Sequence, residues 1–151
     1  MNKFVSGASY GDKFEQLFEL WCDALKIPFR KEKTLSNSKR RHKDKSCDYE
    51  LILKDKSIFI ELKTAQIKQS LDYSVYEDGR NHKIKFHQIC KMDYLIIEWR
   101  SDKNVYVVIS KKDFLKFAGA NKKNSINYKD SLSIGTVIND LTMFVKIHQN
   151  T

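Results

Sequence analysis

"CDYELILKDKSIFIELKT", residues 47–64, is the stretch on which the reading of this chain turns. Two runs rich in Ile, Leu, Tyr and Phe flank the polar tripeptide Lys54-Asp55-Lys56, the pattern of a β-hairpin with a short connection. Side chains alternate across a strand, so Ile58, Ile60 and Leu62 share one face while Phe59, Glu61 and Lys63 share the other. Glu61 and Lys63 therefore emerge side by side. Pairing of the two strands brings Asp48 close to them, although it stands thirteen positions earlier.

On the N-terminal side, Tyr10, Phe14, Leu17, Phe18, Trp21 and Leu25 recur at three- and four-residue spacing. That predicts an amphipathic helix from about Ser9, its N-cap, to Leu25, with Pro28 following its end. On the C-terminal side, residues 66–81 read as an irregular loop closed by Gly79, and residues 82–92 as a helix. "YLIIEW" (94–99) and "VYVVI" (105–109) read as two further strands. "SKKDFLKFA" (110–118) reads as a short helix capped by Ser110, with Asp113 at its third position. Residues 131–140 are expected to be helical and "LTMFVKI" (141–147) to form a last strand. The whole predicts one α/β or α+β domain around a central sheet, with a basic loop at about residues 30–46.

A chain of 151 residues suits a single core. No apolar stretch approaches membrane-spanning length and the N-terminus lacks a secretion signal, so a cytoplasmic protein is expected. Cys22, Cys47 and Cys90 are too scattered for a disulfide framework or a zinc site, and each is expected as a small buried hydrophobe. Lys and Arg number 28 against 19 Asp and Glu, a net charge of +9. Such an excess favours a polyanionic partner, nucleic acid ahead of an anionic membrane. The segment Lys26–Lys45 concentrates it, but has no apolar face with which to lie on a membrane.

Two carboxylates converging at a sheet edge form a hard-oxygen site suited to Mg²⁺ or Mn²⁺. The ammonium of Lys63 beside them can orient water and offset charge developing on phosphorus, which points to phosphodiester hydrolysis. Asp48, Glu61 and Lys63 are also readable as a cross-strand ion pair on a solvated face, worth under about 1 kcal/mol. From spacing alone the ion pair is the safer reading, and the features that follow shift the balance.

The same residues resemble the PD-(D/E)xK nuclease superfamily, whose members place an aspartate at the start of one strand and E-x-K in the next, as Asp48 and Glu61-Leu62-Lys63 do here. "GDKFEQLF" resembles the family's preceding GxxxE helix through Gly11 and Glu15, and "KIKFHQI" its later polar helix residue through Gln88. From "ELKT" through "HKIKFHQI" the chain looks most like RecU-type Holliday junction resolvases; small archaeal resolvases and restriction endonucleases share the core. Cys47 stands where the family has proline, and the segment after Lys63 is too short for the stalk of RecU-type enzymes.

The resemblance covers about residues 9–100 and implies a restriction-endonuclease-like α/β core, a central mixed sheet flanked by helices. It implies a metal held by Asp48, Glu61 and the Leu62 backbone carbonyl, with Glu15 supporting those ligands or binding a second ion. Mg²⁺ is the implied cofactor and Mn²⁺ its substitute. Gln88 is assigned to water or phosphate, His87 to packing or DNA contact, and Thr64 or Gln66 to a further polar contact. Arg80, Lys83 and Lys85 are candidate phosphate contacts, and Lys39, Arg40, Arg41 and Lys43 a candidate arm along the DNA backbone. The expected function is a homodimeric endonuclease on duplex or branched DNA, with a junction resolvase ranked ahead of a restriction or homing endonuclease. The reading from a different class is a non-catalytic DNA-binding module on the same fold.

Overall fold

The computed structural model describes residues 7–32 and 47–149. Its frame is a six-stranded mixed sheet. Strands β1 (Phe29–Lys31), β2 (Tyr49–Leu53) and β3 (Lys56–Gln66) pair antiparallel in turn. β5 (Tyr94–Arg100) lies parallel to β3, and β6 (Val105–Ser110) and β8 (Thr136–Ile138) extend the sheet antiparallel beyond it. β4 (Ser70–Asp72) and β7 (Ser125–Asn127) form a separate two-stranded ribbon. The helices are α1 (Gly7–Ala24), α2 (Phe86–Lys91), α3 (Lys111–Ala120), α4 (Tyr128–Ile134) and α5 (Thr142–Gln149).

Helices cover both faces of the sheet. Phe14, Phe18 and Trp21 of α1 and Phe144 of α5 pack with Ile58, Ile60 and Leu62 of β3. On the other face Ile89 of α2 and Phe114 of α3 pack with Leu95, Ile97 and Trp99 of β5. A central strand buried on two sides loses its polar alternation, which is why β5 reads as a nearly unbroken apolar run. Full burial stabilises each such side chain by roughly 1.5–3 kcal/mol.

The hairpin forms as the alternation requires, with Leu53 opposite Lys56 and a two-residue turn in which Lys54 takes a positive φ of 48°. Lys56 is thus the first strand residue rather than part of the connection. α1 already begins at Gly7, so Ser9 lies inside its first turn and is not the cap; an apolar stripe marks a helix's packed face, not its first hydrogen bond. The helix stops before Pro28. Lys26 adopts φ 57°, Ile27 N–H donates to Cys22 O at 2.8 Å and Lys26 N–H to Asp23 O at 3.1 Å, a Schellman ending.

Other expectations are corrected. The basic loop opens as a strand, because β1 pairs Arg30 with Glu50 across β2 and an ion pair of 3.7 Å joins the two side chains. The stretch read as irregular loop holds β4, whose partner β7 lies some fifty residues on (roughly, from the register Leu71 to Ile126) and so is invisible to local pattern. α2 is shorter than expected, since Ile84 is buried in a bridge to Tyr73 and the helix starts only at Phe86. Residues 131–140 are divided: α4 ends at Ile134 and β8 follows Gly135. A Cβ at Gly135 would lie 2.6 Å from both Val107 Cγ1 and Val108 O, so this crossing admits only glycine unstrained. "LTMFVKI" is helix, not strand. Its Thr, Val and Ile favour β-structure locally, but Asp140 Oδ1 accepts from Thr142 N at 2.8 Å, and Leu141 and Phe144 are buried three residues apart on one face. Cys22 and Cys47 are buried as expected, whereas Cys90 is exposed on α2. Ser110 Oγ accepts from Asp113 N at 3.1 Å and caps α3 as read.

Candidate active site

β2 is shorter than β3, and the site occupies the difference. Tyr49 pairs with Ile60 and β2 begins there, so among the described residues 61–66 of β3 have β5 on one side and no strand on the other. Asp48 closes the ladder: Leu62 N–H donates to Asp48 Oδ2 at 2.8 Å. The N–H and C=O of one strand residue point to the same edge, so the Leu62 carbonyl faces this edge too. A cleft of about 250 Å³ lies here, between α1, the hairpin and α2, lined by Glu15, Asp48, Glu61, Lys63, Lys83 and Gln88 among others.

Glu61 is 1% exposed. Its Oε2 lies 3.3 Å from Lys63 Nζ, while its Oε1 is buried without a hydrogen-bond partner. Burial, and then the charge of Asp48, push its pKa up to about 8, against the pull of Lys63. Asp48 is raised as well, chiefly by burial, with the Leu62 N–H and Lys63 opposing. A buried carboxyl and a half-buried one share the Lys63 ammonium, and the deficit is positive charge.

Glu15 reaches the same cleft from α1. Its carboxyl is raised by burial and by Asp48, and held back by Lys31, whose Nζ lies 3.1 Å from Glu15 Oε1 and 3.6 Å from Glu19 Oε2. Sequence reading places Lys31 only in the basic run; the pairing of β1 with β2 beside α1 makes it the partner of Glu15. Gln88 also lines the cleft, its Oε1 accepting from Lys85 N at 2.8 Å. Cys47, where the resemblance has proline, packs under α2 with Sγ 3.6 Å from Gln88 O. Thr64 donates to Glu98 Oε1 at 2.8 Å, tying the open edge to a buried carboxylate that sequence reading passes over because it sits in an apolar strand.

Of the basic candidates, Lys83 lines the cleft itself. Arg80 and Lys85 line an adjoining hollow with Tyr76 and His82, where His82 bridges Asp72 at 3.1 Å and Asp78 at 2.9 Å. His87 lies 3.6 Å from Glu77 and against the Phe86 ring, outside the carboxylate cluster. Gln66 falls in a second cleft farther along β3. Lys39, Arg40, Arg41 and Lys43 lie outside the described residues.

The donor set fits a hard divalent cation. An orphaned buried carboxylate oxygen, a second carboxylate beside it and a backbone carbonyl at the same edge supply oxygen ligands and an unmet demand for positive charge. Among the described residues no three His, Cys, Asp or Glu side chains converge as a ready-made metal cluster, which Mg²⁺ with its retained waters does not require. Among the described residues no helix is long and apolar enough to cross a membrane. No protein-family model matches the chain, and no curated protein matches its sequence significantly.

Proposed function

We propose that this chain is a divalent-cation-dependent DNA endonuclease hydrolysing phosphodiester bonds. The observation that carries the reading is Glu61: a buried carboxyl with an unpartnered oxygen, pressed against Asp48 at an open strand edge. A surface ion pair needs no such burial, and a purely structural site would relieve it with a second cation or an apolar residue. Asp48, Glu61 and the Leu62 carbonyl would hold Mg²⁺ or Mn²⁺, with Glu15 supporting or extending that set. The bound ion supplies Lewis-acid stabilisation of phosphate charge and acidifies water. Lys63 holds Glu61 in place and sets an ammonium where charge builds on the phosphate oxygens. Gln88, its Oε1 engaged by Lys85 N, presents its amide NH₂ group to water or phosphate. Lys83, at the cleft wall, contacts the backbone of the nucleic acid.

The described residues of one chain carry one such site and two opposed strands need two, so a homodimer is the acting form. Four-way junctions rank first among substrates, and a specific duplex sequence second. The test is a cleavage panel of junction, flap, linear duplex and single-stranded DNA with Mg²⁺, Mn²⁺ or EDTA, using wild type, Asp48→Asn and Glu61→Gln. Metal-dependent cutting that both substitutions abolish supports the proposal. Cutting that survives them overturns the assigned site, and DNA binding without cutting identifies a non-catalytic module.

A further inference from the structure

The seam between α1 and β3 continues past the carboxylates into a second cleft of about 730 Å³, lined by Tyr10, Lys13, Gln66, Lys68, Arg100 and residues of the β5–β6 turn. The two clefts adjoin, since Gly11, Phe14 and Thr64 line the first where Tyr10, Lys13 and Gln66 line the second. The Arg100 guanidinium lies flat against Tyr10, its Cζ 3.6 Å from the ring centroid, and Lys13 Nζ approaches the same ring at 6.0 Å. Arg100 Nε is buried without a hydrogen-bond partner. Among the described residues no carboxylate lies in ion-pair range of Lys13, Lys68 or Arg100. Two carboxylates do line the cleft. Glu98 accepts a hydrogen bond from the Thr64 hydroxyl, and Asp102 is exposed in the turn.

Two cations gathered on one aromatic ring repel each other unless an anion sits between or beside them. Stacking on Tyr10 also fixes the plane of the guanidinium, which orients its fork of donors for phosphate recognition. We infer that Tyr10, Lys13, Lys68 and Arg100 form a phosphodiester-binding subsite that grips the substrate strand away from the cutting position. The inference rests on the nuclease reading for the word substrate, and on the geometry alone for the anion. Gln66, paired with Arg100, stands four residues beyond Leu62. At roughly 3.3 Å per residue that is about 13 Å along the strand. At roughly 3.4 Å per duplex step this separates the subsite from the carboxylates by about four nucleotides.

The experiment is fluorescence anisotropy of a labelled 20-base-pair duplex in EDTA across a potassium chloride series. It compares wild type, Lys13→Ala/Lys68→Ala/Arg100→Gln, and a control lacking three exposed lysines elsewhere, Lys112→Ala/Lys116→Ala/Lys122→Ala. Each phosphate contact contributes about 0.9 to the slope of log K against log salt, so the cleft variant should lose about 2.7 units and the control far less. Lys13 and Lys68 are exposed, so the double variant Lys13→Ala/Lys68→Ala keeps the test if the Arg100 change prevents folding; its expected loss is about 1.8. Equal slopes in wild type and cleft variant, equal losses in both variants, or no binding by wild type overturn the subsite. The same proteins with Mg²⁺ separate the two readings. Cleavage with an unchanged slope sinks the subsite alone, whereas a lowered slope without any cleavage sinks the nuclease and leaves the subsite standing.

Discussion

Replacing Glu61 by Gln should stabilise the metal-free protein at alkaline pH and leave it unchanged in acid. The buried carboxyl has a folded pKa of about 8 against an ordinary 4.5. A carboxyl raised in the folded state binds its proton more tightly there than in the unfolded chain. Its contribution is therefore fully present below pH about 4.5 and is lost as pH rises towards 8. Over pH 5 to 8 the linkage amounts to a few kcal/mol, a large share of the about 5–15 kcal/mol typical of a folded domain. Glu61 and Asp48 titrate as a coupled pair, so the quantity to read is the difference between wild type and Glu61→Gln, not the slope of either. Gln keeps the shape of the protonated side chain and cannot ionise. Urea unfolding in EDTA at half-unit steps from pH 5 to 8.5 measures the difference directly. It should be near zero at pH 5 and reach a few kcal/mol in favour of Glu61→Gln at pH 8. A divalent cation should close most of the gap, adding about 2.7 kcal/mol to wild type at a hundred times its Kd and little to the variant. A difference that stays constant with pH would refute the account of Glu61 as a buried carboxyl short of positive charge.

Other substitutions probe separate links. Lys63→Ala should lower cleavage by roughly 100- to 1000-fold while leaving duplex affinity in EDTA within a few-fold, read by single-turnover kinetics and anisotropy. Lys31→Ala removes a half-exposed cation from Glu15, so stability should fall by less than about 1 kcal/mol, while Mn²⁺ binding, followed by calorimetry, should tighten a few-fold. Gly135→Ala must displace Val107 or the β6 backbone, and thermal unfolding should report a loss of roughly 1–3 kcal/mol. An unchanged melting temperature would show that this crossing has room to spare.

Local periodicity carried much of the fold. The hairpin, α1, α3 and the two central strands each bury one clear face or both, and their residues advertise it within a window of a few turns. β4 and α5 show where that signal stops. β4 exists only because Ile126 lies opposite Leu71, and α5 is rich in residues that favour strands but is committed by its Asp140 cap and by Phe144 against Tyr94. β1 was likewise hidden in a run of charges, since Arg30 and Lys31 serve ion pairs with Glu50 and Glu15 and Phe29 alone packs against the core.

For the site, the sequence by itself determined that Glu61 and Lys63 share a face, because strand side chains alternate, and it allowed a hairpin partner to bring Asp48 beside them; the two-residue turn set the register. Spacing could not distinguish a solvated ion pair from a desolvated one. Only the tertiary structure decided that, by starting β2 no earlier than Tyr49, laying α1 and α2 over the exposed edge and withdrawing Glu61 from water with one oxygen unmatched. The same closure set Lys31 on Glu15 and stacked Arg100 on Tyr10, contacts between segments about sixteen and ninety residues apart. Burial and charge pairing are sums over neighbours from the whole chain, and no stretch of sequence contains them.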